Sequence, residues 1–382
     1  MDTRSSFMRL AAVVAAAVVA AACQPDVVAP SARAPHISAA TIAPVAPGTA
    51  ITLDQLNATL NEQNEIVLAK GFNPTNPHVG DAIVATFFWT GPATITSVSD
   101  FITDANRTPV GNFYRLVDQE TSGGVNMATY VATNVQNFPD PNPDPTVVLG
   151  VQARLSEATP DGGLLLSAWR GVDAVSAQPV GAHSSASGSG SSTTTADPGA
   201  IALGAGALAY GVSMSHPVVG MDPPAAFTYL NNLSDAAIKA DARYLLSPAG
   251  GSAHPTWDWG FSSPGTWLAT VLALNPAPHL VFTAPPKTTL PLTTMPAVQV
   301  TVTDASGSPV TSFTGTVTIA IGHNGGLLVP GTLSGTKTVN VVNGVATFSD
   351  LSIDQPGTGY TLTVTAGGVV SAESAAFNIG VM

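Results

Sequence analysis

Three hydrophobic patterns follow one another along the chain. Leu10 to Ala22 is an unbroken apolar run of 13 residues behind Arg4 and Arg9. From Gln24 to about Gly48, Pro and Ala dominate and no apolar period persists, the pattern of an extended tether. Beyond it, short β-branched and aromatic runs recur between Gly, Pro, Asn and Asp. These predict strands at 82–90, 112–117, 127–133, 146–152, 164–169, 200–213, 227–230 and 267–274. Residues 234–246 fit an amphipathic helix capped by Ser234 or Asp235, or a strand alternating through Ile238, Ala240, Ala242 and Tyr244. The β surroundings favour the strand. The uncharged stretch 198–221 is long enough to span a bilayer. Its glycines, Ser213, Ser215, His216 and Pro217, and the flanking Asp197 and Asp222, instead predict strands buried on both faces.

Past the Pro-rich segment Asn275 to Pro278 the alternation becomes strict: Val298, Val300 and Val302, then Val317, Ile319 and Ile321, and later Leu362 and Val364. Seven such strands in about 104 residues have the size and rhythm of an immunoglobulin sandwich. The expectation is an all-β chain with a large β-sandwich or jelly-roll-like domain over 49–275 and an Ig-like sandwich over 279–382. Within the first, the Ser/Gly/Thr run from His183 to Ala196 predicts a flexible loop. The segments 298–304, Gly307, Pro309-Val310, 344–348 and 359–364 resemble the bacterial Ig-like domains of invasin- and intimin-type surface proteins. That resemblance places Tyr360 as a corner tyrosine, its ring in the core and its hydroxyl on nearby backbone. Gly80-Asp81, 168–173 and 267–274 are similar to a β-sandwich module of uncharacterised secreted bacterial proteins with no agreed activity.

Charge narrows the function classes. Only 9% of the 382 residues are charged, with 12 Lys+Arg against 24 Asp+Glu and a net charge of −12. Such a chain has no electrostatic footprint for nucleic acid. One cysteine excludes a disulfide framework or a Cys-rich zinc site. That cysteine, Cys23, directly follows the apolar run and the small residues Ala20-Ala21-Ala22. A charged start, a short apolar core and small residues describe a secretory signal over 1–22. The arrangement resembles the lipobox of bacterial lipoproteins, with Ala20 where a larger aliphatic residue is usual. The resemblance implies acylation of Cys23, a tether over 23–48 and attachment to the cell envelope, with Gln24 favouring the outer membrane. Whether the folded part faces the cell surface or the periplasm stays open.

Candidate chemistry is sparse. Seven histidines are scattered, with no H-E-x-x-H and no phosphate loop. Gly211-Val-Ser213-Met-Ser215 lacks the second glycine of a nucleophile elbow. Asp140, Asn142 and Asp144 place oxygen ligands at every second position, as a Ca²⁺ loop would, but the intervening prolines fit a stiff connector as well. Trp257 and Trp259 flank Asp258 at the i, i+2 spacing of an extended chain, which puts both indoles on one side. They are candidate glycan-stacking residues with Asp258 as acceptor, or else they close the sandwich core. No cofactor other than Ca²⁺ is suggested. The leading expectation is a non-enzymatic binding or adhesion module for a glycan or surface protein, then a structural spacer, then a hydrolase with a hidden site.

Overall fold

The computed structural model describes residues 50–61, 63–140, 146–176 and 178–380. Every regular element among them is a strand, and no helix there is long and apolar enough to cross a membrane. The first eight strands are β1 (Thr52–Asn61), β2 (Glu65–Gly71), β3 (Ala82–Thr90), β4 (Ile95–Ile102), β5 (Arg115–Ser122), β6 (Val125–Ala132), β7 (Leu149–Thr159) and β8 (Gly162–Arg170). They form a five-stranded sheet ordered β1-β8-β3-β6-β5 and a three-stranded sheet ordered β2-β7-β4. Leu68, Phe72, Phe87, Trp89 and Val151 fill the space between the two. With β5 moved to the edge of the larger sheet, this is the strand order of a jelly roll.

The same order then recurs. The next strands are β9 (Val180–Gly190), β10 (Thr193–Ala196), β11 (Ile201–Leu203), β12 (Ala207–His216) and β13 (Met221–Asp222). They continue with β14 (Thr228–Ser234), β15 (Lys239–Ser247), β16 (Gly251–Ala253), β17 (Trp257–Gly260) and β18 (Gly265–Leu274). The second five-stranded sheet runs β9-β18-β12-β15-β14, which is β1-β8-β3-β6-β5 strand for strand. Its small companion sheets, β10-β17-β13 and β11-β16, match β2-β7-β4 with the first two strands each split. The expected single sandwich is therefore two jelly rolls packed through their large sheets. Val84, Phe88, Met127 and Trp169 of one meet Tyr210, Val212, Met214 and Leu272 of the other. Thr86 joins them at the centre, 3.0 Å from both the Thr129 hydroxyl and the Tyr210 hydroxyl.

One sequence expectation changes here. The Ser/Gly/Thr run is no loop: it supplies β9 and β10, and β9 pairs with β18 from Gly190↔Gly265 to Val180↔Leu274. Glycine is required at 188 because the Trp267 indole lies over it, where a Cβ would come within 2.6 Å of the ring. Within 234–246 the chain is strand from Lys239 on, as its surroundings favoured, and belongs to β15; Asp235 closes the preceding turn by accepting from the Ala237 and Ile238 amides. The uncharged stretch forms β11, β12 and the start of β13.

Residues 279–379 fold around a core of their own, with Val298, Val300, Val317, Ile319, Phe348, Leu362 and Val364 buried together. Strands His279–Ala284, Val298–Thr303 and Val345–Phe348 face strands Thr338–Asn340, Thr316–Ile321, Leu362–Ala366 and Val369–Glu373. A parallel bridge between His279 and Val370 joins the two sets. This is the Ig-like sandwich. Tyr360 is its corner: the ring is buried and the hydroxyl donates to the Gln355 carbonyl at 3.0 Å.

Candidate functional site

Trp257 and Trp259 do share one side of an extended strand, but that side faces inward. β17 lies between β10 and β13, and its inner face packs on the second large sheet. Both indoles are 0% exposed. Trp257 Nε1 donates to Asp241 Oδ1 at 2.9 Å, and Trp259 Nε1 to Ser213 Oγ at 3.0 Å. Asp258 points outward and accepts from the Thr195 hydroxyl at 2.6 Å. The pair belongs to the core, and no indole face is left for a sugar. Asp140 accepts from the Val79 amide at 2.8 Å, whereas Asn142, Asp144 and Cys23 lie outside the described residues.

A different cluster assembles at the start of the first jelly roll. The pairing of β1 with β8 skips one residue between Leu53 and Gln55, so Asp54 is the extra residue of a β-bulge. Bulges re-aim side chains, and Asp54 meets the connection between β2 and β3. His78 and Asp81 stand there on a turn closed by the Asp81 amide on the His78 carbonyl, with Gly80 at a φ of 98°. His78 Nδ1 lies 2.9 Å from Asp54 Oδ2, while the His78 amide donates to Asp54 Oδ2 and Asp81 Oδ2 at 3.0 Å each. Arg170, the last residue of β8, reaches Asp54 Oδ1 at 3.2 Å and approaches Asp81 Oδ1 to 3.8 Å.

Burial sets the protonation of this group. Asp81 is 2% exposed. Desolvation, and then the adjacent Asp54, hold its carboxyl well above the ordinary range despite Arg170. Burial also pushes Asp54 up, but hydrogen bonds from His78 and Asp81 and the charge of Arg170 outweigh it and leave Asp54 below its usual value. Asp54, His78 and Asp81 each offer one donor atom, all within 4.8 Å of one another. Sequence reading missed the group because Asp54 and His78 lie 24 positions apart and a bulge joins them; the Gly80-Asp81 turn was its one local trace.

Other imidazoles have simpler partners. His183 pairs with Asp118 across the two jelly rolls at 2.8 Å, and His254 with Asp197 at 2.7 Å on the surface. His216 contacts the Ala237 carbonyl. Among the described residues no serine or threonine hydroxyl is hydrogen-bonded to an imidazole ring.

The Ig-like sandwich carries the other distinctive surface. Leu327, Leu328 and Val329 are exposed, Leu328 at 96%, as are Leu290 and Leu292. The loop holding the first three is braced rather than loose. Asn324 accepts from the Gly331 amide and donates to its carbonyl, both at 2.8 Å, and a Cβ on Gly326 would come within 2.1 Å of the Val329 carbonyl. The Leu327 amide binds the Pro356 carbonyl and the Leu292 amide the Ile353 carbonyl, so both loops hang on one segment. The opposite end of this sandwich, around Asp304–Ser312, borders a cleft of about 490 Å³ with Asp173 and Ser176.

No known family matches the chain, and no curated protein matches it. Among solved structures it has a faint likeness to domains A168–A170 of titin, at 9% identity and a TM-score of 0.17, covering 86% of this chain and 97% of that one.

Proposed function

We propose that this protein is an envelope-anchored lipoprotein that binds a protein partner without catalysis, through the exposed loop end of its Ig-like sandwich. The observation that carries the reading is the braced loop presenting the consecutive Leu327, Leu328 and Val329 to solvent, with Leu290 and Leu292 exposed on a loop held by the same 353–356 segment. Scattered surface apolar residues are ordinary, whereas a contiguous group marks an interaction surface. Anchoring is supported by the position of Cys23, the sole cysteine, after the apolar run. The Pro/Ala stretch that follows suits a spacer between lipid and fold.

Three measurements test this. A photo-crosslinking residue at position 328 should trap a partner in intact cells that the same residue at exposed Lys337 does not. Leu328→Asp should abolish the trapped partner's binding while leaving the melt unchanged within about 0.5 kcal/mol, since the side chain packs on little. Equal crosslinking from 328 and 337, or full binding by Leu328→Asp, refutes the assignment of the surface. Cys23→Ser should move the protein from the detergent phase to the aqueous phase, and unchanged partitioning refutes the anchor.

A further inference from the structure

We propose that Asp54, His78 and Asp81 bind a divalent transition-metal ion of the zinc class, leaving coordination positions open to solvent. The donor set is one imidazole nitrogen and two carboxylates from two separate segments. Zinc ligands at about 2.0–2.2 Å from the ion stand roughly 3.4 Å from one another in a tetrahedron. The 2.9 Å contact of His78 Nδ1 with Asp54, and the 4.8 Å limit on the whole set, need only small side-chain adjustments to reach that. Ca²⁺ fits less well, since it requires six to eight oxygens.

Two adjoining carboxyl groups face one guanidinium. Asp81 is almost wholly buried, and the guanidinium stops 3.8 Å from its Oδ1, beyond hydrogen-bond reach. The half-exposed His78 ring forms the solvent side, giving an ion a path in. Around the donors the framework is already built: Arg170 holds the outer oxygen of Asp54, and Asp140 fixes the Val79 amide next to His78. Such outer contacts orient metal ligands.

The duplicated fold supplies an internal control. In the second jelly roll the connection equivalent to that of His78 and Asp81 lies between β11 and β12 and is only Gly204-Ala205-Gly206. That half closes the same strand order with no carboxylate or imidazole at this place. The cluster is thus an addition to the scaffold, not a requirement of it.

The test uses the full chain, purified in detergent and stripped with EDTA. Calorimetric titration with ZnCl₂ should show one saturable site, and CaCl₂ should bind far more weakly. His78→Ala and Asp81→Asn should each weaken zinc binding on the order of tenfold or more. His254→Ala, at the separate surface pair with Asp197, should bind as the parent does. Because Asp81 is buried, His78→Ala is the decisive variant, and its melt without metal should match the parent's. Co²⁺ should give visible absorption bands in the parent that His78→Ala loses. Absence of saturable zinc binding, or a one-site titration and Co²⁺ spectrum unchanged in His78→Ala, overturns the proposal.

Discussion

Replacing each buried tryptophan of β17 by phenylalanine separates two hydrogen bonds in nearly identical settings. Both rings are fully buried two residues apart on one strand, so each substitution leaves a similar void where the outer six-membered ring of the indole stood. The partners differ. Trp257 donates to Asp241, a fully buried carboxylate also held by Arg243 at 2.8 Å, whereas Trp259 donates to a neutral serine hydroxyl. A hydrogen bond to a charged group contributes about 1.5–3 kcal/mol and a neutral one about 0.5–1.5 kcal/mol. Trp257→Phe should therefore cost about 1–2 kcal/mol more than Trp259→Phe. For a domain of this size that separates the melting temperatures by roughly 2–8 °C. Differential scanning calorimetry of the full chain reads it directly. Truncation of either residue to alanine should cost more, about 3–5 kcal/mol. Near-zero cost for both phenylalanine variants would return the indoles to the surface. A larger cost for Trp259→Phe would mean that the Asp241 carboxylate does not depend on the indole.

Three further outcomes follow from the same structure. Tyr360→Phe removes the donor to the Gln355 carbonyl and should cost about 1 kcal/mol, read from urea melts; no change would deny the corner its role. The fragment 279–382 should fold alone with one cooperative transition, because its core cluster draws just Val175 from outside the sandwich; a disordered fragment by circular dichroism contradicts this. Asp100 is buried, and desolvation raises its carboxyl despite donors from the Gly111 and Asn112 amides and the Asn112 side chain. A raised folded value means that its stabilising contribution is complete below the unfolded pKa and is lost as pH rises through the folded one. Asp100→Asn should accordingly cost more at acid pH than at neutral pH, and a cost that grows toward neutrality contradicts the sign.

The Ig-like sandwich was legible because its strands keep a strict period of two between apolar and polar residues. Val298, Val300 and Val302 alternate with Gln299 and two threonines, and Val317 and Ile319 with exposed neighbours. The jelly rolls were legible as strands but not as layers. All nine residues of β3 are buried, so period two vanishes and a continuous apolar run cannot say which neighbour covers which face. β9 was misread for the opposite reason: it is built of serines and glycines, with Gly188 leaving room for Trp267, so it lacks the composition of a strand. The Trp pair shows the limit most clearly. Spacing alone establishes that two side chains share a face, while only the neighbours β10 and β13 and the sheet behind them determine that the face is the inner one.

The stacking of two jelly rolls also accounts for the composition. In a lone sandwich each sheet has an outer face that takes charged side chains, but here both large sheets are covered on both sides. Charge is thereby excluded from the whole of β3 and from all of β8 but Arg170. It collects at strand ends, bulges and turns, where Asp54, Asp81 and Arg170 meet, and at sheet edges, where Asp118 of β5 meets His183 of β9. The same covering makes the few polar groups inside obligatory partners of one another. Thr86 of the first roll shares hydrogen bonds with Thr129 beside it and Tyr210 across the interface, and none of the three has access to water. Separating the rolls would expose these hydroxyls together with the apolar faces around them, so each half stabilises the other. A duplicated fold in this state is free to diverge only where it is not covered. The lengthened β2–β3 connection, which carries His78 and Asp81 against three residues in the second half, lies at such a place.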